Sequence, residues 1–265
     1  MFNIFKRNNK DVKLFYHTDV HCHILPGVDH GAKNIQDGIE LLKADMDMGI
    51  KRVILTPHVT SETFENTPET LNAAFAIFKE AVKEAGLDVE LHLSAEYRID
   101  DYWQKEYAAG HVIPMPGNYV LLENSFAQEL IGSEQMMFEL RCKGYYPILA
   151  HPERYSYYGH NRERYEKMHR TNVKFQLNIL SLTGYYGHSV QDTARWLVKQ
   201  GLVDMIGSDI HHLEHAEIIK DYLRSKDWRK MAEKLDGRII NDSVCLKSFP
   251  YCAIILNGDS PSSVV

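Results

Sequence analysis

Short apolar runs alternate with longer amphipathic stretches along the chain, and this alternation constrains the fold more than any other feature. Strands are expected at Leu14–Val20, Arg52–Thr56, Val89–Ala95, Tyr119–Glu123, Tyr146–Ala150, Lys174–Leu177 and Asp204–Gly207. Helices are expected at Asn34–Met48, Pro68–Ala85, Ala127–Lys143, Arg162–Thr171, Ser189–Gln200 and His215–Arg224. In the first of these, Ile35, Ile39, Leu42 and Met46 recur at the spacing of one buried helical face. Thr67 is a suitable N-cap before Pro68. Gly49, Gly86, Gly144 and Gly201 stand where helices should stop. About seven such alternations imply a parallel sheet, closed or open.

No linker divides the pattern, so one domain is expected over residues 14–257. A flexible basic segment, residues 1–13, should precede it, and a disordered tail, residues 258–265, should follow. No structure is assigned to Cys245–Asn257. The chain carries 30 basic and 36 acidic side chains, a net charge of −6, which argues against a general nucleic-acid partner. Cys22, Cys142, Cys245 and Cys252 form no CxxC pair, which favours a reducing, cytoplasmic setting. No apolar run reaches the ~18–20 residues of a membrane helix. The opening apolar residues are too short for a signal-peptide core, and Phe5 with Lys6, Arg7 and Lys10 allows at most peripheral membrane contact.

The chain has 14 histidines, and six of them fall at strand ends. His21 and His23, at i and i+2, present two imidazoles on one side of the first strand. Later strands run into Thr56-Pro57-His58, Ala95-Glu96, Leu122-Glu123, Ala150-His151 and Ser208-Asp209-Ile210-His211. Asp209 and His211 repeat the i, i+2 spacing. The C-terminal rim of a parallel sheet is where catalytic groups gather, and imidazole with carboxylate is the usual donor set for Zn, Mn or Fe.

The motifs DVHCHILPGVDHGA, TPH, SAEY, LLENSF, AHPERY and GSDIHH, in that order, resemble those of the polymerase-and-histidinol-phosphatase superfamily. Within it the chain is most similar to the bacterial metal-dependent protein-tyrosine phosphatases of capsule and exopolysaccharide operons. The resemblance covers about Phe15 to Val244. It implies a distorted (β/α)7 TIM-like barrel with a trinuclear site for Mn, Fe or Zn at the C-terminal rim. It places His21, His23, Glu96 and Asp209 on one ion. A second ion would share Glu96 and add Glu123 and His151, and a third would take His30, His58 and His211. His30 departs from that group's usual aspartate. The partner implied is a tyrosine-phosphorylated bacterial kinase or its tail peptide; oligomerisation stays open.

Three divalent ions would outweigh three carboxylates, so an acidic chain could still bind a phosphate ester. Arg154 would grip its oxygens in a bidentate fork. The resemblance also implies a second arginine a few residues after Asp209-Ile210-His211, where this chain has His212-Leu213-Glu214-His215. The motifs also fit a small-molecule phosphatase for histidinol phosphate or a sugar phosphate, and the replaced arginine fits a metal-binding regulatory module with little turnover. A cysteine-dependent mechanism fails, because Val28, Ile148, Tyr251 and Gly258 stand where its arginine would follow each cysteine. No Gly-rich nucleotide loop is present. The tyrosine clusters Gly184–Gly187 and Tyr155–Gly159 are either a binding rim or loop packing.

Overall fold

The computed structural model describes residues 13–159 and 161–245. Along the chain run β1 (Thr18–Cys22), α1 (Ile35–Asp47), β2 (Arg52–Leu55), β3 (His58–Val59), α2 (Pro68–Glu84), β4 (Glu90–Leu93), β5 (Glu96–Arg98), α3 (Asp101–Ala108), β6 (Tyr119–Glu123), α4 (Ser133–Cys142) and β7 (Tyr146–Ala150). A 3-10 turn (Pro152–Arg154) follows, then α5 (Ser156–Gly159), α6 (Arg162–Arg170), β8 (Lys174–Asn178), α7 (Ile179–Thr183), α8 (His188–Gln200) and β9 (Met205–Gly207). The described part closes with α9 (Leu213–Leu223), α10 (Lys226–Leu235) and α11 (Asn241–Val244).

The strands form a parallel mixed α/β fold in two sheets, β1-β2-β4 and β3-β5-β6-β7-β8-β9. Two interrupted strands explain the division. The run expected at Arg52–Thr56 forms β2, and past Thr56-Pro57 the chain pairs again as β3; the run expected at Val89–Ala95 forms β4, and past Ser94-Ala95 the chain pairs again as β5. Backbone bonds from Ser94 N to Leu55 O (2.9 Å) and Glu96 N to Pro57 O (3.0 Å) carry the pairing across the break. At the far edges β9 meets β1, where Asp209 N donates to His21 O (2.8 Å) and His23 N to Ile210 O (3.0 Å). The buried Asn241 side chain donates to Thr18 O and Ile206 O at 2.9 and 2.7 Å, tying the same two strands together. The sheet is therefore curled, and its two faces have different cores. Val20, Ile54, Leu121, Ile148 and Met205 pack into a small inner cluster. Val53, Leu122, Leu149, Phe175 and Ile206 face outward and pack with helix residues such as Leu42, Phe78, Leu140 and Leu197. Strands covered on both faces read as unbroken apolar runs, which is why they were legible.

Some expected boundaries move. The first strand begins at Thr18 rather than Leu14, and the helix expected from Ala127 begins at Ser133. Helices α3 and α10 lay in stretches given no structure from the sequence. Thr67 caps α2 as expected, its hydroxyl accepting from Thr70 N while Thr70 Oγ1 accepts from Thr67 N. Gly201 ends α8 at φ 70°, in the left-handed region. The segment expected to be basic and flexible, apart from Lys13, and everything from residue 246 lie outside the described residues.

Candidate metal centre

The strand ends bring their polar side chains to one buried focus. β1 contains a bulge: Asp19 pairs with Val53 and Cys22 with Leu55, so Val20 and His21 together oppose Ile54. An extra residue of this kind re-aims the side chains that follow it. Val20 thus joins the inner cluster while His21 and His23 turn toward the focus. Gly207 makes room on the opposite edge, since a Cβ there would lie 2.5 Å from His21 Cβ and from Gln176 Nε2.

His21 Nε2 and His23 Nε2 stand 3.2 Å apart. His21 Nε2 lies 3.4 Å from Glu96 Oε2 and 3.6 Å from Asp209 Oδ1. For His23 Nε2 the same two distances are 3.5 and 3.3 Å. Donors about 2.1 Å from a tetrahedral ion are separated by about 3.4 Å, so His21, His23 and Glu96 have the spacing of a cation cage, and Asp209 stands at the same range from both imidazoles. His58 Nδ1 approaches Glu96 Oε2 at 2.9 Å. His151 Nε2 lies 3.0 Å from Glu96 Oε1 and 3.7 Å from Glu123 Oε1.

Three histidines have their outer nitrogens engaged. His21 Nδ1 donates to Gln176 Oε1 (2.7 Å), His23 Nδ1 to Asp29 Oδ2 (2.8 Å) and His211 Nδ1 to Asp209 O (2.9 Å). Each bond selects the tautomer that leaves Nε2 available as a ligand. His211 Nε2 and Glu96 Oε2 are buried with no hydrogen-bond partner among the described residues. Orphaned polar atoms at the centre of a polar cluster are the expected mark of a site completed by an ion. The residues therefore fit divalent metal. Four groupings have ligand atoms close enough: His23–His58–His211, His21–His23–Glu96, His21–His151–Asp209 and His58–Glu96–Glu123.

The side chains by themselves divide their protons unevenly. Burial opposes charge on His21, but Glu96 and Asp209 override it and raise its pKa to about 9. Burial likewise opposes charge on His23, and Asp29 and Asp209 raise it well above the usual imidazole range. Burial, then the His23 charge, pushes His211 down to about 2. Burial would raise Glu96 and Asp209, yet the surrounding imidazoles hold both well below the carboxylate range. Positive charge on His21 and His23 thus balances the two carboxylates in the side chains by themselves.

Of the nine residues expected at the rim, eight occur in the four groupings. His30 is exposed and joins none, although its ring stacks 4.6 Å from that of His211. The groupings also cross the expected division among ions, since His58 sits with Glu96 and Glu123. Asp209 and His211 do not repeat the strand geometry of the first pair: β9 ends at Gly207, and Asp209 adopts φ 51°. His151 likewise has φ 31°. Left-handed backbone at two non-glycine residues of one site is strain of the kind that clusters at functional positions.

Arg154 Nη1 donates to Asp209 Oδ2 (3.1 Å), not to Glu153 or Glu163. Its guanidinium is sandwiched between Tyr186 (4.1 Å) and Phe126 (4.7 Å). A pocket of about 260 Å³ opens beside it, lined by the cluster apart from His21 and His23, and by Arg98, Tyr185, Tyr186, His212 and His215. A larger groove, about 550 Å³ and lined from Glu129 to Val173, lies away from this chemistry. The sequence reading missed Asp29, Gln176 and Arg98. Asp29 lies within the first motif, but nothing local indicates that its carboxylate turns back onto His23. Arg98 follows Glu96 at i+2, a spacing that marked other rim residues and could have found it.

A family model described as capsular polysaccharide synthesis, CpsB/CapC, matches residues 17–239. The chain belongs to the CpsB/CapC family. It is 31% identical over 200 residues to the tyrosine-protein phosphatase YwqE of Bacillus subtilis, covering 74% of this chain and 78% of that protein. It is 25% identical over 230 residues to the tyrosine-protein phosphatase CpsB of Streptococcus pneumoniae, covering 82% of this chain and 93% of that one. Among solved structures, one from work on B. subtilis YwqE and S. pneumoniae CpsB, described as metal-dependent tyrosine phosphatases, aligns with a TM-score of 0.71 at 25% identity. That alignment covers 86% of this chain and 96% of the other. An amidohydrolase from Mycoplasma synoviae, at 16% identity and a TM-score of 0.56, shares the fold alone. No described helix is long and apolar enough to cross a membrane.

Proposed function

We propose that this CpsB/CapC protein is a metal-dependent phosphotyrosine phosphatase acting on a tyrosine-phosphorylated protein in capsule synthesis. The observation that carries the reading is the pair of imidazoles His21 and His23, 3.2 Å apart and each 3.3–3.6 Å from carboxylate oxygens of Glu96 and Asp209, with Arg154 lining an open pocket beside those carboxylates. The finer reading is a single (β/α)7 barrel domain, its strands β2–β3 and β4–β5 each counting as one. It holds three ions of Mn, Fe or Zn through His21, His23, His30, His58, Glu96, Glu123, His151, Asp209 and His211. The substrate would be a bacterial tyrosine kinase or its tail peptide, met in the cytoplasm.

Bound divalent ions would supply charge neutralisation and a water acidic enough to attack phosphorus near neutral pH. The chain's own residues orient and hold. Gln176, Asp29 and the Asp209 carbonyl keep three imidazoles in the ligating tautomer. Asp209 Oδ2 takes bonds from Arg154 and from Asn178 Nδ2 (2.6 Å), so Oδ1 is left facing His21 and His23. Arg154, held by two aromatic faces, keeps donors for phosphoryl oxygens, where negative charge concentrates during transfer. A phenolate leaving group, pKa about 10, departs with less protonation than an alkoxide.

The test is metal analysis of the purified protein together with turnover of an aryl phosphate before and after chelation. Bound metal, loss of turnover on chelation and loss in His151→Ala are expected. A protein without metal, unaffected by His151→Ala, refutes the reading. Comparing a phosphotyrosine peptide with histidinol phosphate separates it from a small-molecule phosphatase.

A further inference from the structure

The pocket contains a second guanidinium that the motifs do not point to. Arg98 ends β5 and is the register partner of Glu123 at the end of β6. Its Nε and Nη2 both donate to Glu123 Oε2, at 3.2 and 3.1 Å. A guanidinium has five N–H donors, and these bonds use two of them on a single oxygen. The side chain is 36% exposed, where Glu123 is 3% exposed, and Arg98 lines the same pocket as Arg154.

Arg98 and Arg154 stand in parallel arrangements. Each has one carboxylate partner belonging to the cluster, Glu123 or Asp209, at 3.1 Å. In the sheet order β5-β6-β7, Arg98 belongs to the strand on one side of β6 and Arg154 to the turn after the strand on the other. A phosphoryl group has three non-bridging oxygens, so one arginine and the metal side leave part of its charge without a donor. A carboxylate anchor fixes a long side chain beforehand, which lowers the entropic cost of its gripping an anion.

We propose that Arg98 is a second substrate-contacting arginine, gripping a phosphoryl oxygen from the β5 side while Glu123 anchors it. The inference rests on the phosphoesterase reading above and identifies a cationic contact at the end of β5, whereas the family resemblance implies one after β9. The alternative is that Arg98 serves Glu123 alone.

Calorimetric titration of inorganic phosphate into manganese-loaded wild type, Arg98→Ala and Arg98→Lys decides between these roles, with metal content and thermal unfolding measured alongside. The expected result is phosphate affinity about 10- to 100-fold weaker in Arg98→Ala, the range for a lost bond to a charged group. Metal content should match wild type, and Arg98→Lys should recover part of the loss. KM for an aryl phosphate should rise in parallel. Phosphate affinity within twofold of wild type overturns the proposal. So does metal loss in Arg98→Ala, which would make Arg98 a support for Glu123 only. If Arg98→Ala fails to fold, Arg98→Lys decides: unchanged affinity and KM, with normal metal, overturn the assignment. A metal-loaded wild type that neither binds phosphate nor turns over aryl phosphate refutes the phosphatase reading instead.

Discussion

Asp29→Asn tests how strongly the site depends on a residue that is not itself placed among the ligands. Asp29 Oδ2 accepts from His23 Nδ1 (2.8 Å) and His58 N (3.1 Å), while Oδ1 accepts from Gly31 N (2.9 Å). Burial by itself would raise its pKa, yet His23 and Gly31 N hold it below the carboxylate range, so it works as an anion. Asparagine preserves the shape but offers one acceptor and one donor group where the carboxylate has two acceptors. With its oxygen toward His23, the amide faces the Gly31 N–H and one buried donor is lost, worth about 1–3 kcal/mol. With the amide toward His23, the ring takes the other tautomer and a proton occupies Nε2, the atom placed in the cage. Either outcome weakens metal, and supports of this kind are worth about 10–100-fold in affinity, or about 1.4–2.8 kcal/mol. Competition with a chromophoric chelator measures the affinity, and thermal unfolding with and without metal measures the stability. Metal affinity and aryl phosphate turnover equal to wild type would refute the idea that Asp29 holds His23 in its ligating tautomer.

Arg154→Ala should lower kcat for an aryl phosphate by about 10²–10³-fold with metal content unchanged, and Arg154→Lys should restore only part because it loses the planar fork; equal activity of the three proteins in steady-state kinetics would contradict the clamp. Asp204 accepts from Lys174 Nζ (2.7 Å), His169 Nε2 (2.9 Å) and Phe175 N (2.9 Å); burial would raise its pKa, but these partners hold it below the ordinary value. Its contribution is therefore present above about pH 4 and lost as pH falls through the folded-state pKa. Asp204→Asn should unfold about 1–3 kcal/mol more easily at pH 7, with the gap to wild type narrowing below pH 4 in chemical denaturation. A gap constant from pH 7 to pH 3 contradicts the ion pairs.

Most of the architecture was legible because parallel strands buried on both faces leave unbroken apolar runs, while their helices carry a single apolar stripe. The breaks that split two strands were not. Thr56-Pro57 reads as the end of a strand, although the chain resumes pairing at His58 and joins the next sheet. Helices α3 and α10 escaped notice because mostly polar residues surround the few that anchor them, such as Trp103 and Trp228.

For the site, the sequence by itself determined the chemical inventory: imidazoles and carboxylates at successive strand ends, with Arg154 after the fifth expected strand. Proximity in the chain and strand polarity suffice for that, since a parallel sheet delivers every C-terminal end to one rim. Tertiary structure decided which atoms meet. A bulge in β1 turned His21 and His23 inward, left-handed backbone set His151 and Asp209, and the curl of the sheet carried Gln176 to His21. The turn after β1 folded Asp29 back onto His23, and Arg98 faced Glu123 across a ladder. Side-chain direction depends on register and on dihedral angles that long-range packing fixes. No local pattern encodes them, so the ligand types were readable and their partners were not.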